Sequence, residues 1–155
     1  MRTFGNLSID VSGGKFFNKA SMSFIDYKHF LGNRTLLLNN NYKITRETRK
    51  QLVTFKTLSY YDYSTTNQYL EAHMEHNFNS FFIGKIPLLR RTGIYEIIGS
   101  NMLITSKNIY TEYYVGLDKI FIFFRIDFAS AKSNTFSTIH YYARGGVSIA
   151  MQLLF

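Results

Sequence analysis

The chain has 155 residues, of which 46% are hydrophobic and 17% aromatic, and it carries a formal net charge of +8. This length suffices for one domain with a core, and the apolar fraction excludes a disordered polymer. Tyrosine and phenylalanine occur 12 and 15 times, whereas cysteine is absent, which excludes a disulfide framework and a thiolate zinc site. We therefore expect a single, strand-rich domain over residues 1–155.

The positive charge is not arranged as in known nucleic-acid-binding motifs. Basic residues are scattered, apart from "KITRETRK" at residues 43–50 and the pair Arg90 and Arg91, and no recognition-helix, zinc-finger or KH signature accompanies them. We therefore expect no nucleic-acid partner. The chain also has no run of about 18 apolar residues, and its start lacks the apolar core of a signal peptide. For an envelope protein, the targeting segment is then expected upstream of Met1.

Alternation of apolar and polar residues, which is typical of strands, recurs along the whole chain. In the first segment Leu7, Ile9 and Val11 alternate with polar residues, and the glycines of "SGGK" predict a tight turn after it. Further strands are predicted near residues 20–24, 52–63, 69–78, 95–105, 110–117, 120–130 and 146–155. The predicted fold is all-β, an antiparallel meander of about eight strands.

The strand at residues 69–78 has two rows of opposite character. Its polar row holds Glu71, His73 and Glu75, and its apolar row comprises Leu70, Ala72 and Met74. The run "HMEH" resembles a metal site, but neither the HExxH nor the HxxEH order is present, and His76 points away from His73. We therefore expect no metal and no cofactor. The polar row is predicted to face a barrel lumen and the apolar row to face outward.

A second polar row is predicted late in the chain, where Arg125 and Asp127 lie two residues apart on one face. They could join an ion-pair ladder with Glu112 or Glu71 on neighbouring strands. We favour a structural role for this ladder over selectivity or gating. No Ser-His-Asp arrangement, phosphate-binding loop or general base stands out, so we expect no catalytic residue and no enzyme.

Two architectures fit these rows. Strands of about 9 to 11 residues suit a tilted transmembrane barrel, and aromatic residues crowd the predicted strand ends as in interfacial girdles. The alternative is a soluble, lipocalin-like β-barrel that binds an apolar ligand. We favour the transmembrane barrel.

Four segments carry a resemblance to a known family. In order they are "SFIDYKHFLGN", "FKTLSYYDYSTTNQYLEAHMEHNF", "GKIPLLRR" and "YTEYYVGLDKIFIFFRIDF". On these segments the chain resembles the C-terminal β-barrel of a family of outer-membrane proteins of unknown function that carry an N-terminal carboxypeptidase-regulatory-like domain. That barrel is distantly similar to the surface-antigen and assembly-factor barrels, which implies roughly sixteen strands. The chain would then be the C-terminal half of a larger barrel, or a truncated relative of such a protein.

The resemblance implies an integral protein of the outer membrane of a Gram-negative-type cell. Its role would be non-enzymatic, such as transport, assembly or anchoring, and its partners would be outer-membrane lipid, the barrel assembly machinery and upstream strands of a longer parent chain. Met151, Leu153 and Phe155 would form a C-terminal assembly signal on the last strand.

The order of the strands predicts where the connections lie. Loops near residues 64–68, 105–108 and 132–144 would face outward, and turns at 83–93 and 118–120 would face the periplasm. The segment from residue 28 to residue 51 is long for a periplasmic turn. It contains either an extra strand element at "TLLLNNNY" or a small helix at "ITRETRKQL".

Overall fold

A computed structural model describes residues 4–17, 22–32, 36–39, 52–59, 61–120, 124–135 and 138–152. The strands in these ranges are β1 (Asn6–Lys15), β2 (Leu36–Asn39), β3 (Gln68–Asn77), β4 (Tyr95–Thr105), β5 (Asn108–Ile120), β6 (Phe124–Thr135) and β7 (Thr138–Gln152). Two short 3₁₀ turns span Phe24–Asp26 and Ile83–Lys85. Over these ranges no helix is long and apolar enough to cross a membrane. The all-β prediction is confirmed.

All seven strands belong to one sheet, in the order β1-β3-β4-β5-β6-β7-β2. Neighbours from β1 to β7 are antiparallel, whereas β2 pairs with the end of β7 in the parallel direction. In the part of the chain that the structure describes, β1 and β2 are the two edges and no pairing joins them. The sheet is therefore open, and closure of about eight strands into a barrel stays a prediction.

The predicted strand near residues 20–24 is wrong in its described part. Phe24–Asp26 is a 3₁₀ turn, because the Asp26 carboxylate accepts a hydrogen bond from the backbone N–H of Ser23 at 2.9 Å, and the Asp26 N–H in turn donates to the Ser23 carbonyl at 2.9 Å. These local bonds replace those of a strand ladder. Residues 20 and 21 lie outside the described ranges.

The predicted strand at residues 52–63 is also wrong. Residues 52–59 form a buried, irregular segment, which we call the inner segment. The backbone N–H of Phe55 donates to the Leu31 carbonyl at 2.9 Å, and the next two N–H groups donate to a carboxylate on β5. Because its amides bond to a loop and a side chain, the inner segment does not pair with a strand.

Two predicted connections also differ. The turn predicted at residues 118–120 is the end of β5, which runs to Ile120. The predicted loop at 132–144 consists mainly of β6 and β7, whose ladder continues to the pair Thr135 and Thr138. Of the two alternatives for the long connection, the structure shows the strand, since Leu36–Asn39 is β2. Residues 44–51 lie outside the described ranges, as do Leu153 and Phe155, whereas Met151 lies in β7 opposite Phe124.

The two faces of the sheet differ in character. The face covered by the inner segment, here called the inner face, is buried and mostly polar; its side chains include Glu71, His73, Glu75, Asn101, Glu112 and Asp127. On the opposite, outer face, large apolar side chains are exposed, among them Leu7, Ile9, Val11, Leu70, Met74, Ile98, Val115 and Phe128. This is the reverse of the arrangement in most water-soluble sheets.

An aromatic cluster fixes the inner segment to the sheet. Phe55 and Leu58 pack against Leu103 of β4 and Tyr110 of β5, and the group is completed by Phe30, Tyr63 and Ala131. The rings of Phe55 and Tyr110 meet edge to face with centroids 5.7 Å apart. The polar groups of the inner face therefore lie between a strand ladder and a packed cover.

Candidate functional site

The buried charged and hydrogen-bonding side chains of the inner face form one connected group, which we call the inner polar cluster. Strands β3 to β6 supply most of it and the inner segment supplies the rest: Glu71, His73, Glu75, Asn101, Tyr110, Glu112, Tyr114, Arg125, Asp127, Lys56 and Thr57. The register places His73, Asn101 and Glu112 side by side on three adjacent strands. Because side chains alternate along a strand, residues two apart on each strand join the same cluster.

Arg125 links two carboxylates. Its Nε donates to both oxygens of Asp127, at 2.9 and 3.0 Å, and its Nη2 donates to Glu75 Oε2 at 2.7 Å. The hydroxyl of Tyr114 donates to the same Glu75 oxygen at 2.9 Å. The two carboxylates offset the free-energy cost of removing the guanidinium from water. Loss of any one of these groups would therefore leave a buried charge without its partner.

Two glycines leave room for this arrangement. A Cβ on Gly99 would collide with the ring of Tyr114, and a Cβ on Gly116 would collide with the carboxylate of Asp127. Both glycines lie on inner-face positions between β3 and β6. Their missing side chains leave room for the Tyr114 ring and the Asp127 carboxylate, which are bonded to Glu75 and to Arg125 respectively.

Lys56 brings a second cation from the inner segment. Its Nζ lies 3.6 Å from Asp127 Oδ2 and 5.0 Å from the ring centroid of Tyr114. Burial lowers the pKa of Lys56, and the charge of Arg125 lowers it further, while Asp127, Glu75 and Glu112 act in the opposite direction. The lysine is therefore held by carboxylates in a place that disfavours its charge.

Glu112 attaches the inner segment to β5. Its carboxylate accepts hydrogen bonds from the backbone N–H groups of Lys56 at 2.6 Å and Thr57 at 3.1 Å. It also accepts from Asn101 Nδ2 at 2.6 Å, from the Tyr110 hydroxyl at 3.0 Å and from the Thr57 hydroxyl at 3.1 Å. Glu112 is 0% exposed, so these donors replace the water that a carboxylate normally binds.

A chain of hydrogen bonds runs from Glu112 to β3. Since Asn101 Nδ2 donates to Glu112, its Oδ1 is left to accept, and His73 Nδ1 donates to it at 2.9 Å. His73 Nε2 then lies 3.0 Å from Glu71 Oε1. Hydrogen bonds therefore connect Glu112 on β5 with Glu71 on β3 through Asn101 and His73.

The structure brings all five residues predicted from the sequence together. Glu71, His73, Glu75, Arg125 and Asp127 are buried on the inner face and belong to one cluster. That this face lines a barrel lumen stays a prediction.

The ion pair between strands differs in its partner from the ladder that was expected. The expected partners were Glu112 and Glu71, but Arg125 pairs with Glu75. The strand register places Glu75 closest to Asp127 along the inner face, and Glu112 and Glu71 lie farther away.

Other members of the cluster were not predicted. Asn101, Tyr110 and Tyr114 share the inner rows of β4 and β5, and period-two counting from Glu112 could have found the two tyrosines. Lys56 and Thr57 could not be found by such counting. The sequence predicted their segment to be a separate strand, not a segment that covers the inner face. Among the residues with described positions, no group of three or more histidine, aspartate or glutamate side chains has the arrangement of a metal site.

Comparison with known proteins identifies a family. The model of the C-terminal domain of a family of unknown function, DUF5686, matches residues 1–117, which run from β1 into β5 and include Glu112. A search of curated proteins and a search of solved structures each found no match. The prediction of a C-terminal domain of unknown function is confirmed; the N-terminal regulatory-like domain and the outer-membrane location stay predictions. Since the matched residues make up most of the chain, the protein belongs to the DUF5686 family through its C-terminal domain.

Proposed function

We propose that this protein is an integral outer-membrane β-barrel segment with a non-enzymatic role in the envelope of a Gram-negative-type cell. The observation that carries the proposal is the reversal of the two faces, with charged groups buried on the inner face and apolar groups exposed on the outer face. Lipid against the outer face would remove that apolar surface from water.

The exposed apolar positions extend across several strands of the sheet. Leu7, Ile98, Val115 and Phe128 lie on one register row with His76 between the first two, and they are 58%, 51%, 53% and 55% exposed. A second row contains Ile9 and Met74. Apolar patches of this extent mark interaction surfaces, and a band across consecutive strands fits a bilayer.

Strand length is a second, weaker support. β3 and β4 have 10 and 11 residues, and β5 and β6 have 13 and 12. A tilted strand needs about 9 to 11 residues to cross the hydrocarbon core. Each of these strands is long enough.

The covered inner face narrows the proposed role. The inner segment packs on the sheet with Phe55 and Leu58 fully buried, and Glu112 bonds to its backbone. A permanently open channel along the inner face would require the inner segment to leave this position. We therefore favour anchoring, assembly or gated transport over a constitutively open pore.

The alternative of a soluble, lipocalin-like barrel receives less support. Such a barrel needs an apolar inner face around its ligand and a polar outer face. Here the inner face carries Glu75, Glu112 and Arg125, and the outer face carries Val115 and Phe128.

The proposed partners follow from the same physics. Outer-membrane lipid would cover the outer face, and the assembly machinery would insert the strands. β1, which has a single strand neighbour among the described residues, would pair with further strands, because unpaired backbone groups are costly in hydrocarbon.

The test is to refold the purified chain in the presence of phospholipid vesicles and, separately, in buffer without lipid or detergent. We expect folding only with amphiphile, retention on the vesicles after an alkaline wash, and heat-modifiable migration in electrophoresis. A monodisperse, folded protein in buffer without detergent would contradict the proposal. The matched control is the same chain heat-denatured before it is mixed with vesicles.

A further inference from the structure

The connection between β3 and β4, residues 78–94, is an ordered and unusual surface, which we call the basic turn. It contains the 3₁₀ turn Ile83–Lys85, and its backbone bonds include Gly84 N–H to the Ser80 carbonyl and Arg90 N–H to the Ile86 carbonyl, both at 2.9 Å. The Ser80 hydroxyl donates to the Ile94 carbonyl, and the Ile83 N–H donates to the Glu96 carboxylate. These bonds fix the basic turn to the start of β4.

Large apolar side chains of the basic turn point into solvent. Leu88 is 85% exposed, Phe82 54% and Ile86 49%. The turn is held by its own hydrogen bonds and still leaves three apolar groups uncovered. A surface of this kind needs a partner that removes it from water.

The charge of the basic turn has one sign. Lys85, Arg90 and Arg91 are exposed, and residues 78–94 contain no aspartate or glutamate. Of the two acids on the adjoining strand ends, Glu96 accepts the Ile83 N–H, and Asp118 accepts the Lys119 N–H at 2.9 Å. The exposed apolar groups thus share the basic turn with three exposed cations, so a partner of complementary charge is anionic.

The position of the basic turn identifies that partner. It lies at the end of the sheet where Ile98 and Leu7 begin the exposed apolar rows of the outer face. If the outer face is in lipid, as proposed above, the basic turn lies at the level of the phospholipid headgroups. Exposed apolar side chains beside lysine and arginine are what binds an anionic bilayer interface.

We propose that the basic turn is a membrane-surface anchor, in which Phe82, Ile86 and Leu88 enter the interface while Arg90 and Arg91 bind phosphate groups of anionic phospholipids. Lys85 Nζ lies 4.4 Å from the ring centroid of Phe81, a cation–π contact within the same turn. The anchor would fix the height of the barrel in the bilayer. This inference rests on the proposed membrane location.

The experiment uses the absence of cysteine from the chain. Leu88→Cys carries an environment-sensitive fluorophore, and Ser106→Cys, in the exposed turn at the opposite end of β4, carries the same label as the matched control. Both proteins are inserted into vesicles of phosphatidylethanolamine with phosphatidylglycerol that contain brominated lipid. We expect lipid quenching of the label at position 88 and little quenching at position 106.

Replacing both arginines tests the headgroup contact. Arg90→Gln and Arg91→Gln are added to the protein labelled at position 88. The equilibrium constant for binding of the basic turn to the membrane surface, measured by lipid quenching of this label, should fall about 5-fold for each arginine removed. The same fall is expected for the unaltered turn in vesicles of phosphatidylcholine alone. Insertion itself, measured by retention after an alkaline wash, should not change.

The two proposals fail differently. If neither labelled protein stays with the vesicles, the membrane location is wrong and the anchor with it. If both insert and the label at position 88 is as open to a water-soluble quencher as the label at 106, the anchor alone is overturned. The same holds if the arginine variants quench as strongly as the parent, which would leave a protein partner as the occupant of this surface.

Discussion

The inner and outer faces of this sheet are built from alternate residues of the same strands, yet they obey opposite rules. On the inner face Glu112 is fully buried and has a protein donor for each of its oxygens, whereas on the outer face its neighbour Tyr113 is 66% exposed. Hydrogen bonds and ion pairs hold the inner face, and apolar surface characterises the outer one. This contrast is the basis of the proposal that the outer face lies in lipid.

The strongest way to break the inner face is to remove its central cation. Arg125→Met would leave the carboxylates of Glu75 and Asp127 buried without their guanidinium, and should lower the free energy of unfolding by about 3–5 kcal/mol. Denaturant unfolding in detergent micelles, followed by circular dichroism, measures the loss. Arg125→Lys keeps the charge and should lose less. Equal stability of Arg125→Met and the parent would show that water already solvates these groups.

A smaller loss is expected from the carboxylate that binds the inner segment. Glu112→Gln replaces an acceptor by an amide that offers its own N–H groups to other donors, and should cost about 2–3 kcal/mol. Hydrogen exchange should then speed up at the amides of Lys56 and Thr57, which donate to Glu112.

The control for this variant lies in the same cluster. Glu71→Gln alters the bond to His73 and should leave the protection of those two amides unchanged. Equal exchange rates in both variants would mean that Glu112 does not anchor the inner segment.

The outer face can be tested with a charge. Val115→Arg places a guanidinium on the central apolar row and should cost about 2 kcal/mol in a bilayer, but almost nothing if that face is in water. Val115→Leu is the matched control and should be neutral in both settings. Folding into vesicles, titrated with urea, gives the comparison. Equal stability of the arginine and leucine variants in lipid would argue for a wet outer face.

The smallest effect concerns pH and Lys56. Its pKa in the folded protein lies below the ordinary value of 10.5, chiefly through burial, so the unfolded chain binds this proton more tightly. The free energy of unfolding should therefore rise as the pH increases from the folded pKa towards 10.5, because the penalty on the charged form is relieved.

Comparison with Lys56→Met isolates that contribution. The difference in unfolding free energy between the parent and Lys56→Met should change with pH in this direction over the alkaline range. A difference independent of pH would show that the lysine keeps its ordinary affinity for the proton. Arg125, Asp127, Glu75 and Glu112 surround Lys56 in both proteins and are not changed by the substitution.

Alternation of apolar and polar residues predicted a strand correctly where its two faces differ in burial along the whole strand. It found β3 and β4 and separated Glu71, His73 and Glu75 from Leu70 and Met74, since a strand cannot exchange its rows without a change of register. The strand prediction failed at residues 52–59, where the backbone N–H groups of Lys56 and Thr57 bond to the Glu112 carboxylate instead of to a strand. Local pattern carries no information about a distant carboxylate.

The sequence by itself determined the all-β class, the polarity of each row and the identity of five residues of the inner polar cluster, because alternation is a local property of the chain. Tertiary structure decided which charges meet. Tyr114 and Asp127 fit beside Glu75 and Arg125 because Gly99 and Gly116 have no side chains, and Lys56 enters the cluster because the inner segment packs on the sheet. Such contacts join residues far apart in the chain, and they follow from register and packing rather than from local sequence.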